Sequence, residues 1–250
     1  ILNNMKKNIV FIIAFKKDGQ LKKEYQISID SWKHFCDKHN AELFLMEEPV
    51  LDTAEMHIIW QRYYLFDILD HNEIDYDQIL LVDADTIVHP DCPNFFEKTN
   101  HDYCLVHDNG SYDWILRGME HYKKHIFHNE WFHFWEYGNS GFQIVNKKHR
   151  PFFDIMREFY FQNQQTIQFI QKNYGIGTDQ TPLNFMLRKH NIDINLLPWK
   201  YNMTCMPKRE IIGDDMLHTK MGYVMHFNGL PDKDKSVPYW MEKTYKCLYD

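Results

Sequence analysis

The stretch Ile79-Leu80-Leu81-Val82-Asp83-Ala84-Asp85-Thr86-Ile87-Val88 decides the fold. Four unbroken apolar residues read as a strand buried on both faces, the signature of a parallel sheet covered by helices. Working outward, Ile9–Phe15 and Glu42–Met46 read as two earlier strands. Between them Tyr25, Ile29, Trp32 and Cys36 recur at helical spacing. A second helix is predicted from about Glu55 to Leu69, with Met56, Ile59, Trp60, Tyr63 and Phe66 on one face. Later strands are expected at Tyr103–Val106, Phe142–Val145, Ile194–Leu197 and Tyr223–Phe227. Among them lie a long helix from about Arg150 to Lys172 and a helix opened by Thr178-Asp179, with Thr178 as N-cap. Strands alternating with helices predict an α/β fold, a mainly parallel sheet sandwiched by helices. No repeat, linker or low-complexity tract divides residues 1–250, so one domain is expected.

Composition narrows the function. The chain has 28 basic and 35 acidic residues among 250, a formal net charge of −7. Without a basic block it is a poor candidate for a nucleic-acid partner, because that affinity rests on clustered Lys and Arg. The five cysteines are scattered and form no C-x-x-C pair, which suits reduced structural thiols. Met5-Lys6-Lys7 and the apolar Ile9–Phe15 imitate a signal peptide, but Lys16-Lys17-Asp18 stands where small cleavage-site residues belong. The run reads better as a buried first strand, with Ile1–Asn4 preceding a native Met5. No run approaches the roughly 18 apolar residues of a membrane span, and a cytoplasmic location is expected. The sequons Asn109-Gly-Ser and Asn202-Met-Thr carry no weight there.

The triplet Asp83-Ala84-Asp85 is one of three D-x-D triplets, where about two are expected by chance. Placement separates it from Asp75-x-Asp77 and Asp232-x-Asp234, since only Asp83 follows a continuous apolar strand. Carboxylates at the carboxyl end of a parallel strand sit where open α/β sheets bind ligands. Two negative charges there are costly unless a cation compensates them, and hard oxygen donors suit Mn²⁺ or Mg²⁺. Such a cation would bridge a diphosphate. The bland alternative is a solvated turn with capping aspartates.

One segment breaks the alternation. Residues 107–137 hold Tyr112, Trp114, Tyr122, Phe127, Trp135 and Tyr137, with His121, His125, His128 and His133. It reads either as a helical insertion packed on the surface, or as a lid or acceptor platform, since aromatic faces pack against sugar C–H surfaces. His121 and His125 share one helical face but lack a third metal ligand at sensible spacing.

The run Tyr76 to Val88 resembles the D-x-D segment of GT-A glycosyltransferases, and is closest to the retaining glycogenin and lipopolysaccharide galactosyltransferase type. Four further segments follow in that family's order. Asn139-Ser140-Gly141 is similar to its N-[AS]-G segment, and Thr178-Asp179-Gln180 to its D-Q pair. Leu197-Pro198-Trp199-Lys200-Tyr201-Asn202 resembles the stretch before its last strand, and His226-Phe227-Asn228-Gly229 its H-F-x-G. The Glu55–Arg62 run with Trp60 is also similar to cell-wall galactosyl- and xylosyltransferases, so both families stay open.

The resemblance implies a GT-A, Rossmann-like domain that moves a sugar from a nucleoside diphosphate sugar, UDP-linked, to a glycan, protein or small-molecule acceptor with retention. It implies Asp83, Asp85 and His226 as ligands of Mn²⁺ or Mg²⁺, and Asp179 and Gln180 beside the anomeric carbon. Ala14, Phe15, Arg62, Asp83, Ala84, Asp85, Asn139, Gly229 and Lys233 are the residues expected to hold the donor. Two departures are visible: the usual lysine position after H-F-x-G is Asp232, with Lys233 following, and Ala14-Phe15-Lys16 lacks the usual acidic residue and tyrosine. Two rival readings exist. Haloacid-dehalogenase-type phosphatases also place D-x-D after a strand, and Ile211-Ile212-Gly213-Asp214-Asp215 imitates their distal acidic motif. They use Thr or Val where this chain has Ile87, and their nucleophile strand comes first. A non-catalytic carbohydrate-binding module would explain the aromatics but not the acidic set.

Overall fold

A computed structural model describes residues 7–108 and 110–250. Six strands form one sheet in the order β2-β1-β3-β6-β5-β7, from β1 (Ile9–Ile13), β2 (Glu42–Met46), β3 (Gln78–Asp83), β5 (Tyr103–His107), β6 (Gly138–Asn146) and β7 (Ile194–Leu197). Five run in one direction, and β6 alone is antiparallel, paired on both sides with β3 and β5. The reversal decides the site. The start of β6 lies at the same sheet edge as the carboxyl ends of β1, β3 and β5, so Asn139–Gly141 face Asp83. The residues 1–6, including Met5, lie outside those described.

Period-2 alternation splits the apolar residues between two cores. Phe11, Ile79, Leu81, Leu105 and Val145 fill one, beneath α2 (Leu65–His71), α3 (Tyr112–Tyr122), α4 (Arg150–Tyr174) and α5 (Gln180–Lys189). Val10, Ile12, Leu80, Val82 and Ile144 fill the other, with Trp32 and Phe35 of α1 (Lys23–His39). A smaller third core joins the ribbon β4 (Thr86–Val88) and β8 (Val224–His226) to α6 (Lys233–Tyr249).

Three expectations are corrected. The helix expected from Glu55 begins instead as a 3-10 helix at Ile58–Tyr64 and becomes α-helical only at Leu65. His57 Nδ1 accepts the Ile59 N–H at 3.3 Å and starts it there. At α5 the N-cap position is Asp179 rather than Thr178, and neither makes a side-chain cap bond. Residues 107–137 are not merely laid on the surface. Ile115, Met119, Tyr122, Phe127, Phe132 and Tyr137 are buried in the first core, while Tyr112, Trp131 and Trp135 stay exposed. Cys36, Cys92 and Cys104 are buried, Cys205 is half-buried and Cys247 exposed. Among the described residues no helix is long and apolar enough to cross a membrane.

Candidate active site

The carboxyl edge of the sheet opens into a cleft of about 450 Å³. Its wall includes Arg62, Asp83, Ala84, Asp85, Asn139, Asp179, Gln180, His226 and Lys233, residues drawn from six separate segments. Ala14, Phe15 and Gly229, also expected there, do not line it. Ala14 is fully buried in the second core and Phe15 packs on the first. Gly229 (φ +71°) makes the turn that follows β8, a backbone conformation other residues rarely adopt, and leaves Asn228 on the wall.

His226 reaches the aspartates through strand pairing. Thr86 of β4 stands opposite His226 of β8, and the Phe227 N–H donates to the Asp85 carbonyl at 2.9 Å. Nε2 of His226 then lies 3.1 Å from Asp85 Oδ1 and 3.8 Å from Asp83 Oδ2. The three donor atoms lie within 4.8 Å of one another, the only such group of three found among the described residues. Two carboxylates and one imidazole make a donor set that fits a divalent cation. Burial resists a charge on His226, but Asp85 and Asp83 outweigh it and raise its proton affinity. Burial likewise resists the Asp85 charge, and His226 outweighs it and lowers the carboxyl. A positive charge is wanted at this spot.

Gly141 explains why the N-S-G segment needs its glycine. A Cβ there would lie 2.5 Å from Asp83 Oδ2 and 2.6 Å from His226 Cε1. The β6 backbone packs directly against the Asp83 carboxylate and the His226 ring.

Arg62 is 5% exposed, and each of its three guanidinium nitrogens donates a hydrogen bond. Nε donates to Ile59 O at 3.0 Å, Nη1 to Ser140 O at 2.6 Å, and Nη2 to Asp83 Oδ1 at 3.0 Å. Nη1 also stands 3.6 Å from Asp179 Oδ2. Burial opposes its charge, but the two carboxylates prevail and strengthen its hold on the proton. For Asp179 burial wins, and its carboxyl titrates above the usual range despite Arg62. Asn184 fixes the start of α5 to β6, accepting the Gly138 N–H and donating to the Gly138 carbonyl, each at 2.8 Å.

Asp108 was not anticipated from the sequence. It follows β5, is 6% exposed, and accepts from Asn139 Nδ2 at 3.0 Å and Gln180 Nε2 at 2.9 Å. Lys22, Glu24 and Tyr25 at the start of α1 also line the cleft. The other acidic features go elsewhere: Asp214 pairs with Lys243, Asp215 accepts from Leu217 N–H, and neither faces Asp83. The phosphatase motif is thus not assembled. His121 stacks on Tyr174 with ring centroids 3.5 Å apart, and joins no group of three metal-ligating residues among those described.

No protein-family model matches the sequence, and no curated protein does. Among solved structures, a glycosyltransferase involved in the glycosylation of the major capsid of PBCV-1 gives a TM-score of 0.60 at 12% identity. The match covers 95% of this chain and 99% of that one. The glycosyltransferase GlyE of Streptococcus pneumoniae TIGR4 gives 0.50 at 12% identity, over 98% of this chain and 62% of that one. At such identity the likeness is one of fold. The chain has the α/β fold of these glycosyltransferases, with an Asp-Asp-His group at the carboxyl edge of its sheet.

Proposed function

We propose that this chain is a metal-dependent glycosyltransferase of the retaining glycogenin and lipopolysaccharide galactosyltransferase type, moving a sugar from a UDP-sugar to an acceptor. The observation that carries the reading is the convergence of Asp83, Asp85 and His226 in one cleft with Arg62, Asn139, Asp179, Gln180 and Lys233. Asp83, Asp85 and His226 would hold Mn²⁺ or Mg²⁺, which when bound supplies Lewis-acid stabilisation of the departing diphosphate.

The protein's own groups divide the remaining work. Lys233, on the wall at the start of α6, offers the diphosphate a second positive charge. Asp179 Oδ2 and Asn228 Oδ1 are buried acceptors with no hydrogen-bond donor among the described residues, and both residues line the cleft. Unsatisfied buried acceptors are costly, and the hydroxyls of a sugar nucleotide satisfy them. Arg62 orients Asp179 at this face, and Asp108 orients the amides of Asn139 and Gln180. Tyr25 gives the nucleobase an aromatic face, with Lys22 and Glu24 at its edge. In a retaining transfer the leaving phosphate oxygen takes the proton of the acceptor, so Asp179 need not act as a base. The acceptor belongs beside the exposed aromatics of residues 107–137.

The test is incubation of the full chain with a panel of sugar nucleotides, with Mn²⁺ and with chelator. Metal-dependent release of the nucleoside diphosphate, lost in Asp85→Ala, is expected, with the product keeping the anomeric configuration of the donor. Turnover of a phosphate monoester through a trapped phospho-Asp83 would instead establish a phosphatase. Sugar binding without any turnover would leave a binding module.

A further inference from the structure

Behind the proposed metal ligands runs a buried chain of hydrogen bonds whose direction has only one solution. It begins at the Asp108 carboxylate, which accepts four donors: Gly110 N (3.1 Å) and Thr204 Oγ1 (3.3 Å) on Oδ1, and Asn139 Nδ2 (3.0 Å) and Gln180 Nε2 (2.9 Å) on Oδ2. A carboxylate so surrounded is an acceptor only, so Asn139 must present its NH₂ to it. The opposite end of the same amide is fixed independently. The Gly141 backbone N–H, which can only donate, points at Asn139 Oδ1 at 2.9 Å.

With Asn139 set, its Oδ1 takes a second donor, Asn202 Nδ2 at 2.9 Å. That choice turns Asn202 Oδ1 toward His226 Nδ1 at 3.0 Å. An amide oxygen cannot donate, so His226 Nδ1 must carry the hydrogen. His226, Asn139 and Asn202 are 2%, 3% and 0% exposed, so water does not compete along the chain. The consequence falls on the far side of the ring. Nε2, 3.1 Å from Asp85 Oδ1, is left with a lone pair to give a cation.

We infer that Asp108 is a positioning residue, which through Asn139 and Asn202 locks His226 into the tautomer whose Nε2 ligates the metal. The inference rests on the metal-site reading above and adds to it a residue two amides removed from the metal. The same carboxylate fixes Gln180: its Nε2 donates to Asp108 while its Oε1 accepts the Ser140 N–H at 2.9 Å. One buried charge therefore sets the polarity of the imidazole and of the amide proposed to stand beside the anomeric carbon. Partners that fix a histidine ligand in this way typically contribute 10- to 100-fold to metal affinity.

Two measurements on the full chain test it. The first is the ring ¹⁵N pattern of His226, identified by comparison with a His226→Gln spectrum, recorded with Mg²⁺ and without it at alkaline pH. A protonated Nδ1 is expected in both, and a hydrogen on Nε2 instead would overturn the inference whatever the variants do. The second is Mn²⁺ affinity by calorimetry. Asp108→Asn, which lets the amide chain reverse, is expected to weaken Mn²⁺ about 10- to 100-fold. Thr204→Val, which removes a donor to Asp108 outside the chain, should stay within about twofold of the parent. Parental Mn²⁺ affinity in a folded Asp108→Asn would refute the relay. If the parent itself binds no Mn²⁺ while the Nδ1 pattern holds, the metal reading fails and the relay stands. Should Asp108→Asn not fold, the ring pattern of the parent still decides.

Discussion

Arg62 donates from Nη2 to Asp83 Oδ1 at 3.0 Å, which ties a buried cation on a 3-10 turn to the carboxylate ending the central strand. The same guanidinium reaches Asp179 at the start of α5. It therefore neutralises one carboxylate proposed for the metal and one proposed for the sugar. Replacing one partner of a buried pair leaves the other's desolvation uncompensated. Arg62→Met is expected to cost about 3–5 kcal/mol in urea unfolding. The double variant Arg62→Met/Asp179→Leu should recover about 1–3 kcal/mol of that loss, because the orphaned carboxylate is then gone. Strict additivity of the two substitutions would show that the pair is not coupled.

Gly141 gives a second expectation, rooted in packing. An added Cβ would meet Asp83 Oδ2, His226 Cε1 and Asn139 Oδ1 at 2.5, 2.6 and 3.0 Å. None of these is the loose end of a surface side chain: Arg62 holds Asp83, Asn202 holds His226, and Asn139 is held at both ends of its amide. Gly141→Ala should lower Mn²⁺ affinity at least about tenfold and abolish metal-dependent donor cleavage, while far-ultraviolet circular dichroism stays native. Retention of parental Mn²⁺ affinity would mean that the β6 edge can retreat from the ligands.

Much of this arrangement was legible because strand ends leave local signals. The apolar run before Asp83 announced the central strand, and the H-F-x-G run announced His226. What joins them, the register Thr86 opposite His226, is a tertiary fact that no local pattern carries. The direction of β6 was equally hidden, since a strand buried on both faces reads the same whichever way it runs. Ala14 was expected at the donor, yet strand alternation turns its side chain into the core. Asp108 did carry a signal. It stands two residues past the buried Tyr103–Val106 run, where Asp83 directly follows Ile79–Val82, and a single aspartate lacked a partner to draw notice. Tyr25 was read only as one of the residues recurring at helical spacing in α1, whereas the first helical turn brings it to the cleft.

His149 makes stability depend on pH away from the cleft. It is 3% exposed, and its Nδ1 accepts the Asn146 N–H at 3.1 Å in a capping box that precedes α4. Burial, reinforced by Lys148 and opposed by Asp102, lowers its pKa from 6.5 to about 4. Above pH 6.5 the ring is neutral in both folded and unfolded chains, and the stability is fully present. As pH falls toward 4 the unfolded chain binds the proton first, so about 3 kcal/mol is lost over that window. Urea unfolding at pH 7 and pH 4.5 should show this loss, and His149→Gln should reduce the difference. An unchanged pH dependence in His149→Gln would assign the loss to other groups.

The exposed aromatics supply the last expectation, which concerns the acceptor. Tyr112 is 56% exposed and packs edge-on against Phe134, with ring centroids 4.4 Å apart. Trp135 is 54% exposed and lies parallel to His133, centroids 4.2 Å apart. Both rings are held in place yet offer a free surface, and chain continuity ties them to the site. Tyr112 opens α3 four residues after Asp108, and Trp135 precedes Asn139 by the same interval. A ring that stacks on a sugar face contributes about 1 kcal/mol, or roughly five- to tenfold in binding. Tyr112→Ala and Trp135→Ala should each raise the acceptor KM by about that factor, while donor hydrolysis in the absence of acceptor keeps its rate. Unchanged acceptor kinetics in both variants would move the acceptor site off this segment. A parallel fall in donor hydrolysis would show that the rings support the cleft rather than the acceptor.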